Sequence, residues 1–165
     1  MEYVPVLVAA LIPMVVGFVW YNPNVFGKAW QKTTGMTDED VKGGNMLLIL
    51  GLSMLFYVMV AFVLKGFAIH QDALLSLFVS QPEFKDAGSE MSLFYKEFMA
   101  NYGDLHRTFG HGALHGGVIA IFFALPFIGL HALYERKNWR YFLINVGYWF
   151  VSLILMGGLI CAWVV

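Results

Sequence analysis

The sequence predicts an all-α integral membrane protein. It reads as four transmembrane helices in a bundle, with a long external loop carrying a short amphipathic helix. Three observations predict this. Of the 165 residues, 59% are hydrophobic and only 13% charged, where a soluble domain has roughly a quarter charged. One small core cannot hide that much apolar surface, so lipid must cover the rest. Four apolar stretches, about 3–21, 46–64, 112–134 and 141–165, are each long enough to cross a hydrocarbon layer of about 30 Å at about 1.5 Å per residue. Aromatic residues at the end of the first stretch, Trp20, Tyr21, Phe26 and Trp30, suit the boundary between lipid and water.

The whole chain, 1–165, reads as one transmembrane domain. The net charge of −1 excludes nucleic acid as a partner, because a phosphate backbone needs a basic face. The single Cys161 excludes an intrachain disulfide and any multi-cysteine metal site. MEYVPV lacks the basic start of a cleaved signal peptide, so the first stretch is expected to be a retained helix.

In the first span, Pro5 fits a helix's opening turn and Pro13 should bend the helix near mid-membrane. Asn22-Pro23-Asn24 ends it. Val25 to Lys32 reads as a short interfacial helix, and Thr37 followed by Asp40 resembles a capping box. Gly43-Gly44-Asn45 breaks the chain and caps the second span. There, Ser53 and Tyr57 share one face, Lys65 can snorkel to headgroups, and Gly66 can terminate the helix.

The loop, about 67–110, is the longest polar region. Asp72 to Phe78 suggests a short helix. Met91, Phe94, Tyr95, Phe98, Met99 and Tyr102 recur at helical spacing, which makes a second helix amphipathic. In the third span Gly112, Gly116, Ala120 and Ala124 are four apart, a small-residue stripe that lets helices approach closely in lipid. Pro126 should bend that helix. In the fourth span Gly157 and Gly158 offer further close packing, and Asn145 should hydrogen-bond to a neighbouring helix.

The short connections hold Lys28, Lys32, Lys42, Arg136, Lys137 and Arg140. Cations flanking short loops mark the cytoplasmic side. The termini and the long loop are therefore expected outside.

The pattern Gly17-Phe-Val-Trp20-Tyr21-Asn-Pro-Asn-Val-Phe26-Gly27-Lys28-Ala-Trp30, followed by Gly35-Met-Thr37-Asp38-Glu39-Asp40, resembles the opening of the family called domain of unknown function 1761. Similar too are His111-Gly112, Pro126, Leu133-Tyr134-Glu135-Arg136, Asn145-Val-Gly147-Tyr148-Trp149 and Met156-Gly157-Gly158. The resemblance covers nearly the whole chain. It implies a small four-helix protein of the bacterial cytoplasmic membrane, and it supplies no activity or catalytic residue.

His111 and His115 are four apart, about 40° from each other on one helical face. That spacing can chelate a metal ion. His106 and Asp104 could complete a metal or haem site, and the competing reading is that these histidines bond to loop backbone or headgroups. Transport usually needs ionisable groups within the membrane. The span cores have no Asp, Glu, Lys or Arg; His131 and Glu135, one turn apart at the far end of the third span, are the nearest to a relay. No nucleophile with a base, no phosphate-cradling loop and no paired carboxylates suggest an enzyme. By elimination, the sequence points first to a structural or accessory subunit. Its partners would be the bilayer and either a second copy or another membrane protein. A small-solute or ion channel and a metal- or haem-binding protein are the alternatives.

Overall fold

The computed structural model describes residues 3–163. Among them there are helices and turns and no strand. Three helices are long and apolar enough to cross a membrane: Met46–Ala68, Phe109–Tyr134 and Trp139–Ala162. The first apolar stretch, Val4–Trp20, is shorter. It divides into α1 (Val4–Ala9) and α2 (Ile12–Trp20), each with a proline in its first turn. Pro13 cannot donate the amide that a continuous helix needs there, so the chain makes a turn at Ala10 and Leu11 and restarts.

After Trp20 the chain makes α3 (Gly27–Thr34) and α4 (Asp38–Gly43). Gly35 ends α3 at φ 76°, a left-handed conformation that glycine adopts without strain. Thr37 caps α4 through the expected reciprocal pair: its hydroxyl accepts from the Asp40 amide, and its own amide donates to the Asp40 carboxylate at 2.8 Å. Those hydrogen bonds, the backbone one first, hold the Asp40 carboxyl below its ordinary value.

Asn45 caps α5 (Met46–Ala68), accepting from the Leu48 amide. The helix runs a turn past the expected end at Leu64. Gly66 lies inside it and does not terminate it. Lys65 has no need to reach for headgroups, because it forms an ion pair with Asp72 in the next helix. That helix is α6 (His70–Phe78). A 3₁₀ turn (Pro82–Lys85) and α7 (Glu90–Tyr102) follow. Phe78, Phe84 and Tyr95 pack at 5.3 to 5.8 Å between ring centres, giving this segment a small aromatic core of its own.

Thr108 caps α8 (Phe109–Ile119). A π-helical turn (Ala120–Ala124) then leads into α9 (Leu125–Tyr134). The wide turn lies just ahead of Pro126, where an α-helix would lose a hydrogen bond and meet the proline ring. The last helix, α10 (Trp139–Ala162), is the axis of the fold and touches α1, α2, α3, α5, α8 and α9. In its most apolar window 44% is buried, against 11% in α5 and in the α8–α9 helix. The core includes Val6, Ala9, Ala10, Ala61, Leu64, Ile69, Ala120, Leu153, Met156 and Ile160. Side chains such as Leu47, Phe56, Phe122 and Phe127 point outward, leaving a broad apolar surface of the kind lipid covers.

The α8–α10 seam explains the small-residue stripe. A Cβ on Gly112 would lie 2.0 Å from the Gly157 carbonyl oxygen, and one on Gly116 would lie 2.1 Å from that of Leu153. The two backbones therefore touch directly. Gly158 faces the Phe109 ring, Ala120 is buried, and Ala124 packs at the edge of the core. These residues are engaged within one chain.

Candidate metal centre

The seam fixes the first turns of α8 against the last turns of α10, and so fixes where His111 and His115 stand. A third histidine comes from α6. The chain breaks at Ile69, with ψ 96°, and His70 opens the new helix. Two groups hold that corner. The Gln71 amide donates to the carbonyls of Gly103 and Leu105 at 2.7 and 3.0 Å. Arg107 donates to the carbonyls of Cys161 and Trp163 at the end of α10, where cationic charge suits the helix dipole. The buried Cys161 thiol is 3.2 Å from the His106 carbonyl and 3.6 Å from that of Ala68. Hydrogen bonds from α6, the connector and α10 thus converge around one corner.

There the imidazoles of His70, His111 and His115 meet. His111 Nε2 lies 3.0 Å from His70 Nε2 and 3.1 Å from His115 Nε2. All three ligand atoms lie within 4.8 Å of one another. A ring nitrogen carries either one hydrogen or one lone pair in the ring plane. His111 Nε2 cannot donate to one neighbour while accepting from the other. Mutual hydrogen bonding therefore leaves the trio incompletely satisfied, whereas a shared cation would satisfy three lone pairs at once. His70 is exposed and the other two half-buried, so the site lies open at the mouth of the helices.

His106 stands beside this group and outside it. Its ring stacks on His111 with centres 4.9 Å apart and planes 28° apart. Its φ of 64° is a left-handed conformation that costs a non-glycine residue roughly 1 kcal/mol. Asp104 is exposed and outside the trio. By sequence alone His70 falls in the polar loop, with no spacing that ties it to His111 and His115. The signal available was its place just past the second span, on the side where His106 to His115 lead into the third.

A second polar group lies deeper. The Tyr148 hydroxyl donates to the Pro13 carbonyl at 3.0 Å and meets the Tyr57 hydroxyl at 2.9 Å. Tyr21 donates to the Asn145 side-chain oxygen at 3.1 Å, and the Trp20 indole to the Ile144 carbonyl at 3.0 Å. Trp20 also packs on Phe26, and Tyr21 on Trp30. The aromatic residues flanking α2 therefore fasten it to α10. His131 and Glu135 do not form a side-chain pair: both are exposed, and the bond between them runs from the Glu135 amide to the His131 carbonyl.

The class is thus a protein that, among the described residues, is all-helical with three helices long and apolar enough to cross a membrane, bearing a histidine cluster where helical segments meet. The chain belongs to the family described as "Protein of unknown function (DUF1761)", which matches residues 4–161. No curated protein and no solved structure shows a significant match.

Proposed function

We propose that this protein is a four-span membrane protein that binds a transition-metal ion through His70, His111 and His115. One observation carries the reading: three imidazole nitrogens converge with neighbouring separations of 3.0 and 3.1 Å. Tetrahedral zinc, with bonds of about 2.0–2.1 Å, needs ligand nitrogens about 3.3 Å apart. Small side-chain rotations reach that spacing. Three neutral nitrogen ligands suit zinc, copper, nickel or iron, and the convergence of all three on one point suits a bare ion better than a haem. With three protein ligands, the fourth position is open to water, His106 or a small ligand, the arrangement that permits ligand exchange and Lewis-acid chemistry.

Val4–Trp20 is the fourth span in this reading. Its 17 residues reach about 25 Å, short of the full hydrocarbon layer, and Trp20 and Tyr21 sit at the interface. The protein lies in the bacterial cytoplasmic membrane, with the termini, α6, α7 and the metal site outside and the basic turns inside. The subunit role first suggested by the glycine and alanine stripes loses that support, since those residues are spent on the α8–α10 seam.

The test is a zinc titration of chelator-stripped protein in micelles, with competition against a dye. One ion per chain is expected. His70→Ala, His111→Ala and His115→Ala should each weaken binding at least 10-fold, while His131→Ala should not. A His70→Ala variant that binds as wild type does would refute the three-ligand site. Wild type that holds no metal would refute the function.

A further inference from the structure

At the other end of the molecule, we propose that the groove between α9 and α10 is a binding site for one anionic phospholipid. The proposal goes beyond the metal site and rests only on the membrane placement. The π-helical turn and Pro126 follow the tight α8–α10 seam, and a groove of about 440 Å³ lies between α9 and α10. That is the size of a small-ligand pocket. Its walls include Pro126, Gly129, Leu130, Leu133 and Phe142, and Lys137 stands at its rim. The lining is apolar and faces outward, as an acyl chain requires.

The turn that joins α9 to α10 carries the headgroup chemistry. Lys137 lines the groove, Arg136 and Arg140 lie within three residues of it in sequence, and among the described residues none of the three forms an ion pair. Asn138 caps α10 by accepting from the Tyr141 amide, leaving the amides of Trp139 and Arg140 at a helix N-terminus that favours a phosphate. Arg136 adds an independent sign. Helix α9 closes with the Lys137 amide bonded to the Ala132 carbonyl and the Arg136 amide to that of Leu133. This places Arg136, at φ 53°, where glycine is usual. An arginine held in a strained position suggests that its side chain is wanted there. Basic pockets between helices recognise anionic headgroups, and an acyl groove beneath one commits the site to a lipid.

The test is native mass spectrometry of the protein released from micelles holding equal phosphatidylglycerol and phosphatidylcholine with matched chains. One phosphatidylglycerol should be retained at least 10-fold over phosphatidylcholine. Changing Arg136, Lys137 and Arg140 together to Gln should bring that preference below 2-fold. Gly129→Leu, which fills the groove against Phe142, should lower retention of both lipids; Glu135→Gln should alter neither. Equal retention of the two lipids by wild type, or a preference that survives the triple variant, would overturn the proposal. Competition by glycerol phosphate as effective as by the intact lipid would overturn the acyl groove.

Discussion

Replacing Gly116 by Ala puts a methyl group where the α8 and α10 backbones touch. Its Cβ would lie 2.1 Å from the Leu153 carbonyl oxygen, where ordinary contact begins at 3.4 Å. The obstacle is backbone, so it cannot rotate away. The helices must part locally by about 1 Å, and a gap of that size forfeits a quarter to a half of each dispersion contact it opens. Overpacking of this kind costs about 1–3 kcal/mol. Alanine's better helix propensity returns up to about 1 kcal/mol, so the fair comparison is Gly117→Ala on the same helix. There the new Cβ would meet only the Ile154 side chain at 3.8 Å. Gly116→Ala should therefore be about 2 kcal/mol less stable than Gly117→Ala, and Gly112→Ala should behave like Gly116→Ala. Reversible unfolding in mixed micelles, followed by tryptophan fluorescence, reads the difference. Equal stability of the Gly116 and Gly117 variants would refute the seam as the determinant of packing. Gly112→Ala should also weaken zinc binding, because it displaces His111 and His115.

Two further outcomes are expected. Tyr148→Phe removes the hydroxyl shared by Tyr57 and Pro13; with hydrogen bonds between membrane helices worth about 0.6–1.7 kcal/mol, it should cost about 1–2 kcal/mol in the same assay, and a Tyr57→Phe background should reduce that cost. Arg136→Gly relieves a left-handed arginine and should stabilise the protein by about 1 kcal/mol, while lowering its retention of phosphatidylglycerol.

The apolar stretches, the Thr37 capping box and the existence of α7 were legible because each depends on residues near in sequence; the face α7 buries was not, since Phe94, Phe98 and Tyr102 are exposed and Ser92 is buried. Asn145 was legible as a polar group needing a partner, though Tyr21 could not be named as that partner. The ends of α5 were not fully legible. Lys65 and Gly66 look like a helix end until Asp72, on the following helix, comes back to meet the lysine. The candidate metal site was half visible. His111 and His115 share a helical face by arithmetic, but His70 joins them through a chain break at Ile69 and hydrogen bonds from Gln71 to residues more than 30 positions away. His106 was the nearer guess by sequence, and its left-handed backbone sets it to one side. The four-residue spacing of Gly112 and Gly116 suggests a close helix approach, but sequence spacing cannot say whether the other half of a seam belongs to the same chain.

The π-helical turn shifts the helix by one residue of phase. Before it, Gly112 and Gly116, four apart, meet the α10 backbone. Beyond it, Gly129 meets α10 through a side chain, its Cβ position lying 3.4 Å from the Phe142 ring. The turn therefore works as a clutch between two halves of one rod, one geared to the α10 backbone and the other to a bulky ring. Deleting a single residue there would engage the halves in plain α-helical phase and rotate α9 by about 100°. Length at this point, more than side-chain identity, then decides which face of α9 looks into the groove.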